Sequence, residues 1–375
     1  MNLTSLLTHR HPWSSRPCLN RLVRLGTGLK DRLVTRHTNV FIQQRREQTS
    51  QVHGERPALV VPLSWAATTA TVPFANLGDA LSPVIVSALS GLPVMHHHFD
   101  ARTERLTCVG SIGHQVKHGT IHLWGTGARA RPLLKPPSQH WNRLVQTHYC
   151  VHALRGPLSA QLFQQQGLDI PDVYGDPVWF LPAIVPPAPE KKYELGIIVH
   201  LSELNGGTDR STVNERFLRY HIPDALASQV RIITTITRPS FDALEEKLHE
   251  ITACKRIAST SLHGLVLAET YRIPCVYFRT QGRGVAFPHL KDETERIDLR
   301  MRDFYRGIGS ETLFVYGQPR PRPTNWEHLI QAIDTHWIPI HWSAESFLER
   351  FPLPLAFNPL IEQLGDRTRF QSLQL

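Results

Sequence analysis

The sequence predicts an α/β protein organised as two α/β domains with a cleft between them. Three observations carry this reading. Short apolar runs alternate with helical patterns along most of the chain, a proline-dense stretch interrupts that alternation once, and polar and glycine residues gather where the apolar runs end. The length of 375 residues suits two domains of ordinary size, and a hydrophobic fraction of 41% supplies a core for each.

Residues 1–56 stand apart from this pattern. They hold ten Lys or Arg against Asp31, Glu47 and Glu55, so the leader carries +7 of the chain's net +9 and the body is close to neutral. A near-neutral body argues against a nucleic-acid partner. The leader is expected to be a poorly ordered basic extension, with contact at an anionic membrane surface as the alternative. It holds no apolar run long enough for a secretory signal. Elsewhere no run approaches the ~18 apolar residues of a membrane span. Cys18, Cys108, Cys150, Cys254 and Cys275 are widely spaced and form no CxxC pair. A cytoplasmic protein is expected, with the leader as its one feature suited to the inner face of the membrane.

The first domain is expected over 57–185. "ALVVPLSW" (58–65) reads as a strand, and "FANLGDALSPVIVSALSGLPV" (74–94) as a loop, a helix and a second strand start. "RLTCVGSIG" (105–113), "TIHLWGTGA" (120–128) and "THYCVHALRGP" (147–157) are three further strands ending in glycine or polar turns. "PLSAQLFQQQGL" (157–168) is a helix with Pro157 in its first turn and Gly167 at its end. Pro182, Pro186, Pro187 and Pro189 then mark a linker, with 186–193 as its core. A second domain is expected over 194–335. Its strands are "ELGIIVHLSE" (194–203), "VRIITTI" (230–236), "RIAST" (256–260) and "PCVYFR" (274–279), and its helices 239–254 and 262–272. The tail, 336–375, is aromatic and proline-bearing; packing back across the first domain is the placement it suits best.

In an open α/β sheet, ligands sit outside the carboxyl ends of the strands, beside helix N-termini that offer free N–H groups. The polar residues at those ends are therefore the candidates. In the first half they are Asn76, Gly78 and Asp79, then Gly110 and Ser111, then Gly125, Thr126 and Gly127, and Arg155 with Gly156; in the second half, His200, Ser259, Ser261, His263 and Gly264. "NLGD" is equally readable as a turn in which Asn76 or Asp79 caps a helix starting near Ala80. Arg155 precedes Gly-Pro and a helix, so its guanidinium is expected to form a fork for carboxylate or phosphate there, with a structural ion pair as the alternative. His263 stands among small residues at a helix start, where an imidazole titrating near neutrality serves as proton donor or acceptor; a core histidine is the alternative. Glu269 follows nearly two turns later on the same helix. "MHHHF" (95–99) offers at most two ligands on one side of a strand, and "HQVKH" (114–118) has the i, i+4 spacing of a metal pair but is bracketed by Gly113 and Gly119 with no HExxH glutamate, so no metal is expected. No GxSxG, P-loop or kinase signature is present.

Taken together, "NLGDALSP" (76–83), "VGSIG" (109–113), "HLWGTGA" (122–128), "ALRGPLSAQLF" (153–163), "YGDPVWFLP" (174–182), "GIIVH" (196–200), "ITACKRIASTSLHGLVLAETYRIPCVYF" (251–278) and "RMRDFYRGIG" (300–309) resemble, in order, the polysaccharide pyruvyltransferase family. That resemblance implies two Rossmann-like domains in a glycosyltransferase-B-like arrangement with an inter-domain cleft. It implies transfer of pyruvate from phosphoenolpyruvate to a sugar of an exopolysaccharide, capsule or other cell-surface glycan precursor, as a ketal, with a lipid-linked or polymeric glycan as acceptor and no bound cofactor. His263 and Arg155 would be catalytic, and Asn76, Gly78, Asp79, Ser111, Gly125, Thr126, His200, Ser259, Ser261, Gly264 and Glu269 would bind substrate. Many relatives have an arginine directly before the Leu-His-Gly, where this chain has Ser261, so Arg279, Arg283 and Arg302 are candidates for the missing cation. A nucleotide-sugar glycosyltransferase of the same architecture is the rival reading, with Glu269 on a ribose. A non-catalytic glycan-assembly protein is the third.

Overall fold

A computed structural model describes residues 43–44, 59–129, 147–373 and 375, and within it Phe41–Leu375 form one compact unit. Most of the basic leader, Cys18 included, lies outside the described residues.

Two parallel sheets carry the fold. In the first half the chain forms β1 (Gln43–Gln44), β2 (Leu59–Ser64), β3 (Ala75–Asn76), α1 (Leu77–Ser90), β4 (Val94–His96), β5 (Arg105–Thr107), β6 (Gly119–Trp124), β7 (Thr147–Ala153) and α2 (Pro157–Gln164). β4 and β5 flank β2, with β6 and β7 beyond β5, all parallel; β1 adds an antiparallel pair to β2. The second half contributes β8 (Leu195–Val199), the hairpin β9 (Leu204–Asn205) and β10 (Thr212–Val213), β11 (Val230–Thr234), β12 (Ile236–Thr237), α3 (Phe241–Thr252), β13 (Ile257–Ser259), α4 (Leu262–Thr270), β14 (Cys275–Arg279), β15 (Gly284–Ala286), α5 (Leu299–Gly307), β16 (Val315–Gly317), α6 (Trp326–His336) and α7 (Glu345–Leu348). Its sheet runs β11-β8-β13-β14-β16, all parallel, with β15 antiparallel at the edge. The mixed α/β class read from the alternation is the class observed.

Burial explains the apolar runs. β8 is buried along its whole length, as a strand covered on both faces must be. α4 is buried almost all round, which is why "LHGLVLAET" shows no polar face. α3 is the contrasting case, amphipathic and capped by the Ser240 hydroxyl, which accepts from the Ala243 N–H. Ser240→Ala is expected to cost about 1 kcal/mol, read as a lowered urea midpoint. α2 stops at Gln164, short of the expected 168, because Gly167 adopts a left-handed φ of 81°.

Each sheet has the same strand order. Numbered within its own half, each runs 2-1-3-4-5, so the connections leave in opposite directions from the first strand. This is the switch point at which doubly wound sheets bind ligands. A two-stranded bridge ties the halves there: β12 pairs antiparallel with β3, and Leu77 donates its N–H to the Thr235 carbonyl at 2.7 Å. The C-terminal residues also reach the first sheet. Trp124 stacks on Phe180 and Phe347, and its indole N–H donates to the Phe347 carbonyl at 3.0 Å. Among the described residues no helix is long and apolar enough to cross a membrane.

Candidate functional site

A cavity of about 240 Å³ opens where the switch points of both sheets meet. Its wall takes Ala66 from beyond β2, Ser111 and Ile112 from beyond β5, His200 and Leu201 from beyond β8, and Thr235 from beyond β11. Asn76 and Asp79 enter from the start of α1, Ser261 and His263 from the start of α4, and Arg300 from the start of α5.

The first turns of α1 and α4 meet at close range. A Cβ added to Gly78 would overlap the His263 Nδ1, so glycine is what lets the imidazole lie across the opening of α1. Neither helix is capped by the side chain at its N-cap position. Asn76 turns its amide to donate to Asp79 Oδ2 at 2.8 Å, and Ser261 makes no capping bond. The helix therefore begins at Leu77 rather than near Ala80, and the capping role expected of Asn76 or Asp79 is not taken. Behind this rim Ser259 holds the turn: its hydroxyl accepts from the Ser261 N–H at 3.0 Å and donates to the Ser261 or Ile198 carbonyl.

His263 is a neutral imidazole here. Burial, and then the charges of Arg155, Arg300 and His200, push it down to about 3, well away from the neutral value its setting suggested. Its Nε2 is buried and has no hydrogen-bond partner among the described residues. Asp79 shifts the opposite way, its carboxyl raised by burial against the smaller opposing effects of the Asn76 bond and of Arg300. His200 is also held below its usual value by burial and by Arg300.

Arg155 does not reach the cavity. It is fully buried, pairs with Asp303 through Nε at 3.1 Å and Nη2 at 3.0 Å, and donates from Nη1 to the Ser111 hydroxyl at 2.6 Å. The anion at the start of α2 is an internal one. Asp303 Oδ1 accepts from the N–H groups of Leu158 and Ser159, and Oδ2 takes the Ser159 hydroxyl. The fork expected for a ligand is thus occupied by the protein's own carboxylate, delivered from α5, and Arg155 acts on the cavity by holding Ser111.

Six of the sequence candidates line the cavity: Asn76, Asp79, Ser111, His200, Ser261 and His263. Gly78 shapes it through His263. The others stand behind its wall. Gly125, at a left-handed φ of 82°, packs against Pro177; Thr126 is buried and donates to the Gly110 carbonyl; Ser259 is spent on the turn; Gly264 has no room for a Cβ beside the Ser259 hydroxyl. Glu269 is buried against the Cys275 thiol and the Tyr305 hydroxyl, and burial lifts its carboxyl to about 7. The suggested cations are also committed elsewhere. Arg302 donates to the carbonyls of Leu290, Asp292 and Glu295, and Arg279 to the Gln281 carbonyl and Glu295, while Arg283 does not line the cavity. Arg300 and Arg129 are the cations of the wall, and both escaped the sequence reading. For Arg300 the available signals were its place at the head of "RMRDFYRGIG" and "DLR" at a helix start, where Asp298 accepts from the Arg300 N–H at 2.8 Å. Among the described residues no three His, Cys, Asp or Glu side chains are grouped as metal ligands; in "MHHHF", His96 bonds the Trp65 carbonyl and His97 the Thr103 hydroxyl.

Comparison with known proteins bears on the family. Residues 111–282 match the model of the polysaccharide pyruvyl transferase family, which bears out the resemblance read from the motifs. The matched segment includes Arg155, Ser261 and His263 and leaves Asn76, Asp79 and Arg300 outside it. No curated protein and no solved structure gives a significant match. The family is one of pyruvyl transfer to polysaccharide, so transferase chemistry is the general activity the match supports.

Proposed function

We propose that the cavity binds phosphoenolpyruvate and that the protein transfers its pyruvyl group to a sugar of a cell-surface glycan precursor as a ketal. The observation that carries this reading is His263: an imidazole with an unpartnered Nε2, set at the meeting of two helix N-termini in a cavity that also holds Arg300. Helix starts and a guanidinium suit the donor's phosphate and carboxylate. The neutral ring is in the form that accepts a proton, and the negative charge of a donor bound beside it would raise its affinity for that proton.

The residues divide the work as follows. The methylene carbon of the donor takes a proton, and Asp79, which lines the same cavity and whose carboxyl burial makes easier to protonate, is the acid assigned to it. C2 then takes a sugar hydroxyl, whose proton passes to His263. Phosphate leaves C2 and a second hydroxyl adds. In balance, one hydroxyl proton ends on the new methyl group and the other on the departing phosphate, so no oxidant or reductant is called for. Arg155 supports the step through Ser111. Two Rossmann-like domains in a glycosyltransferase-B-like arrangement fit the shared strand order. The proposal includes a lipid-linked or polymeric acceptor, no bound cofactor, and a cytoplasmic setting with the leader at the inner membrane face. Against the nucleotide-sugar alternative stands Glu269, which would have to hold a ribose but is turned into the contact with Cys275 and Tyr305.

Thermal stabilisation tests the reading. Phosphoenolpyruvate at 100 times its dissociation constant is expected to add about 2.7 kcal/mol, a shift of a few degrees. UDP, GDP and CMP-sugars are expected to add nothing. A response to a nucleotide alone would replace pyruvyl transfer with glycosyl transfer.

A further inference from the structure

We infer that Arg300 and His200 form the fork that takes the ligand's oxyanion, carboxylate or phosphate. The inference deepens the reading above and rests on it only for the identity of the donor.

The geometry of Arg300 divides its guanidinium into a used edge and an open one. Asp298 takes the first: Nε donates to Oδ1 at 3.0 Å and Nη2 to Oδ2 at 2.8 Å. Because Asp298 is also the N-cap of α5 and accepts from the Arg300 N–H, the cap and the ion pair together fix the direction in which the side chain leaves the helix. The second edge, Nη1 with Nη2, points to His200 Nε2, at 3.3 and 3.4 Å.

That contact is not a settled one. The Ser202 N–H donates to His200 Nδ1 at 3.2 Å and the rotatable Ser202 hydroxyl lies 2.8 Å from the same nitrogen, so the fixed donor sets Nδ1 as the acceptor of a tight turn. A neutral ring with Nδ1 accepting carries its proton on Nε2. Arg300 and His200 then meet donor to donor at 3.3 and 3.4 Å, with no acceptor for the N–H groups they bring together. Two terminal N–H groups of an arginine and one imidazole N–H, converging within a cavity, are the donor set for a bidentate oxyanion. The remaining wall agrees: the Ser261 hydroxyl is unspent on capping, and the His263 Nε2 is unpartnered. Arg300 is close enough to act electrostatically on both Asp79 and His263. Asp303, one turn further along the same face of α5, anchors that helix to the start of α2, so the fork is carried by an element locked at its other contact.

The experiment titrates phosphoenolpyruvate, inorganic phosphate and pyruvate into four forms of the full chain, with thermal stabilisation as the readout. These are the wild type, Arg300→Gln, Arg300→Lys, and Arg300→Gln combined with Ser261→Arg. Arg300→Gln is expected to weaken phosphoenolpyruvate by about 10- to 100-fold, the worth of a charged hydrogen-bond pair. Arg300→Lys keeps the partner of Asp298 and the charge but not the fork, and is expected to fall between. Placing a guanidinium at position 261, on the same cavity wall, is expected to recover part of the loss, a result that general damage to α5 would not produce. Whichever of phosphate or pyruvate loses its effect in Arg300→Gln identifies the group held. Undiminished binding of all three probes in Arg300→Gln overturns the fork and leaves the donor proposal standing. A wild-type response to phosphate but not phosphoenolpyruvate, lost in Arg300→Gln, keeps the fork and removes the donor. Silence of the wild type to all three removes both.

Discussion

His263→Gln is expected to reduce pyruvyl transfer by about 10²- to 10⁴-fold, the usual worth of a positioned general acid or base. It should leave the neutral-pH fold standing. The same variant should flatten the acid limb of the stability profile. The sign follows from the two states: burial holds the folded ring near 3, whereas the unfolded chain takes up a proton near 6.5. Stability is therefore unaffected above about pH 6.5 and is lost progressively as pH falls toward 3. Denaturant midpoints at pH 7 and pH 4.5 read this directly. A wild type and variant with the same pH slope would mean the ring is not buried and neutral in solution. Gly78→Ala is a second route to the same site: its methyl group would displace the imidazole, so it should cost activity like the histidine variant.

Breaking the Arg155–Asp303 pair should do the opposite, acting on the fold before the chemistry. Both side chains are buried, and Asp303 also accepts two N–H groups and a hydroxyl at the start of α2. Removing one partner of such a pair leaves an uncompensated buried charge, which costs about 3–5 kcal/mol. Arg155→Met and Asp303→Asn are each expected to lower the denaturant midpoint by that order. The contact around them leaves little room to relax, since a Cβ on Gly156 would meet the Asp303 backbone and one on Gly307 the Arg155 carbonyl. Donor binding separates the roles. An Arg155 that bound the anion itself would be freed by Asp303→Asn, and affinity for phosphoenolpyruvate would rise. An Arg155 that positions Ser111 and α5 predicts weaker binding in both single variants, with a double variant less impaired than the sum.

Much of this protein was legible in its residues. The alternation of apolar runs and helical patterns determined the α/β class, because a strand covered on both faces must be apolar throughout. The gathering of Asn76, Asp79, Ser111, His200, Ser261 and His263 at strand ends placed six of the fifteen residues of the cavity wall, because parallel strands send all their carboxyl ends to one side. What the sequence could not decide was how charges pair across long separations. Arg155 and Asp303 are 148 residues apart, and nothing local in "LRGP" says that its fork is already filled. Nor does local sequence tell which of several arginines faces the cavity: Arg302 and Arg300 stand two apart on one helix, and opposite faces sent one to backbone carbonyls and the other to the site. The titration of His263 was likewise undecidable from its neighbours in sequence, since it is set by burial against Gly78 and by cations brought in from distant segments. Residue type and periodicity determined where a site must form; the tertiary structure alone decided which charges were left over to make it.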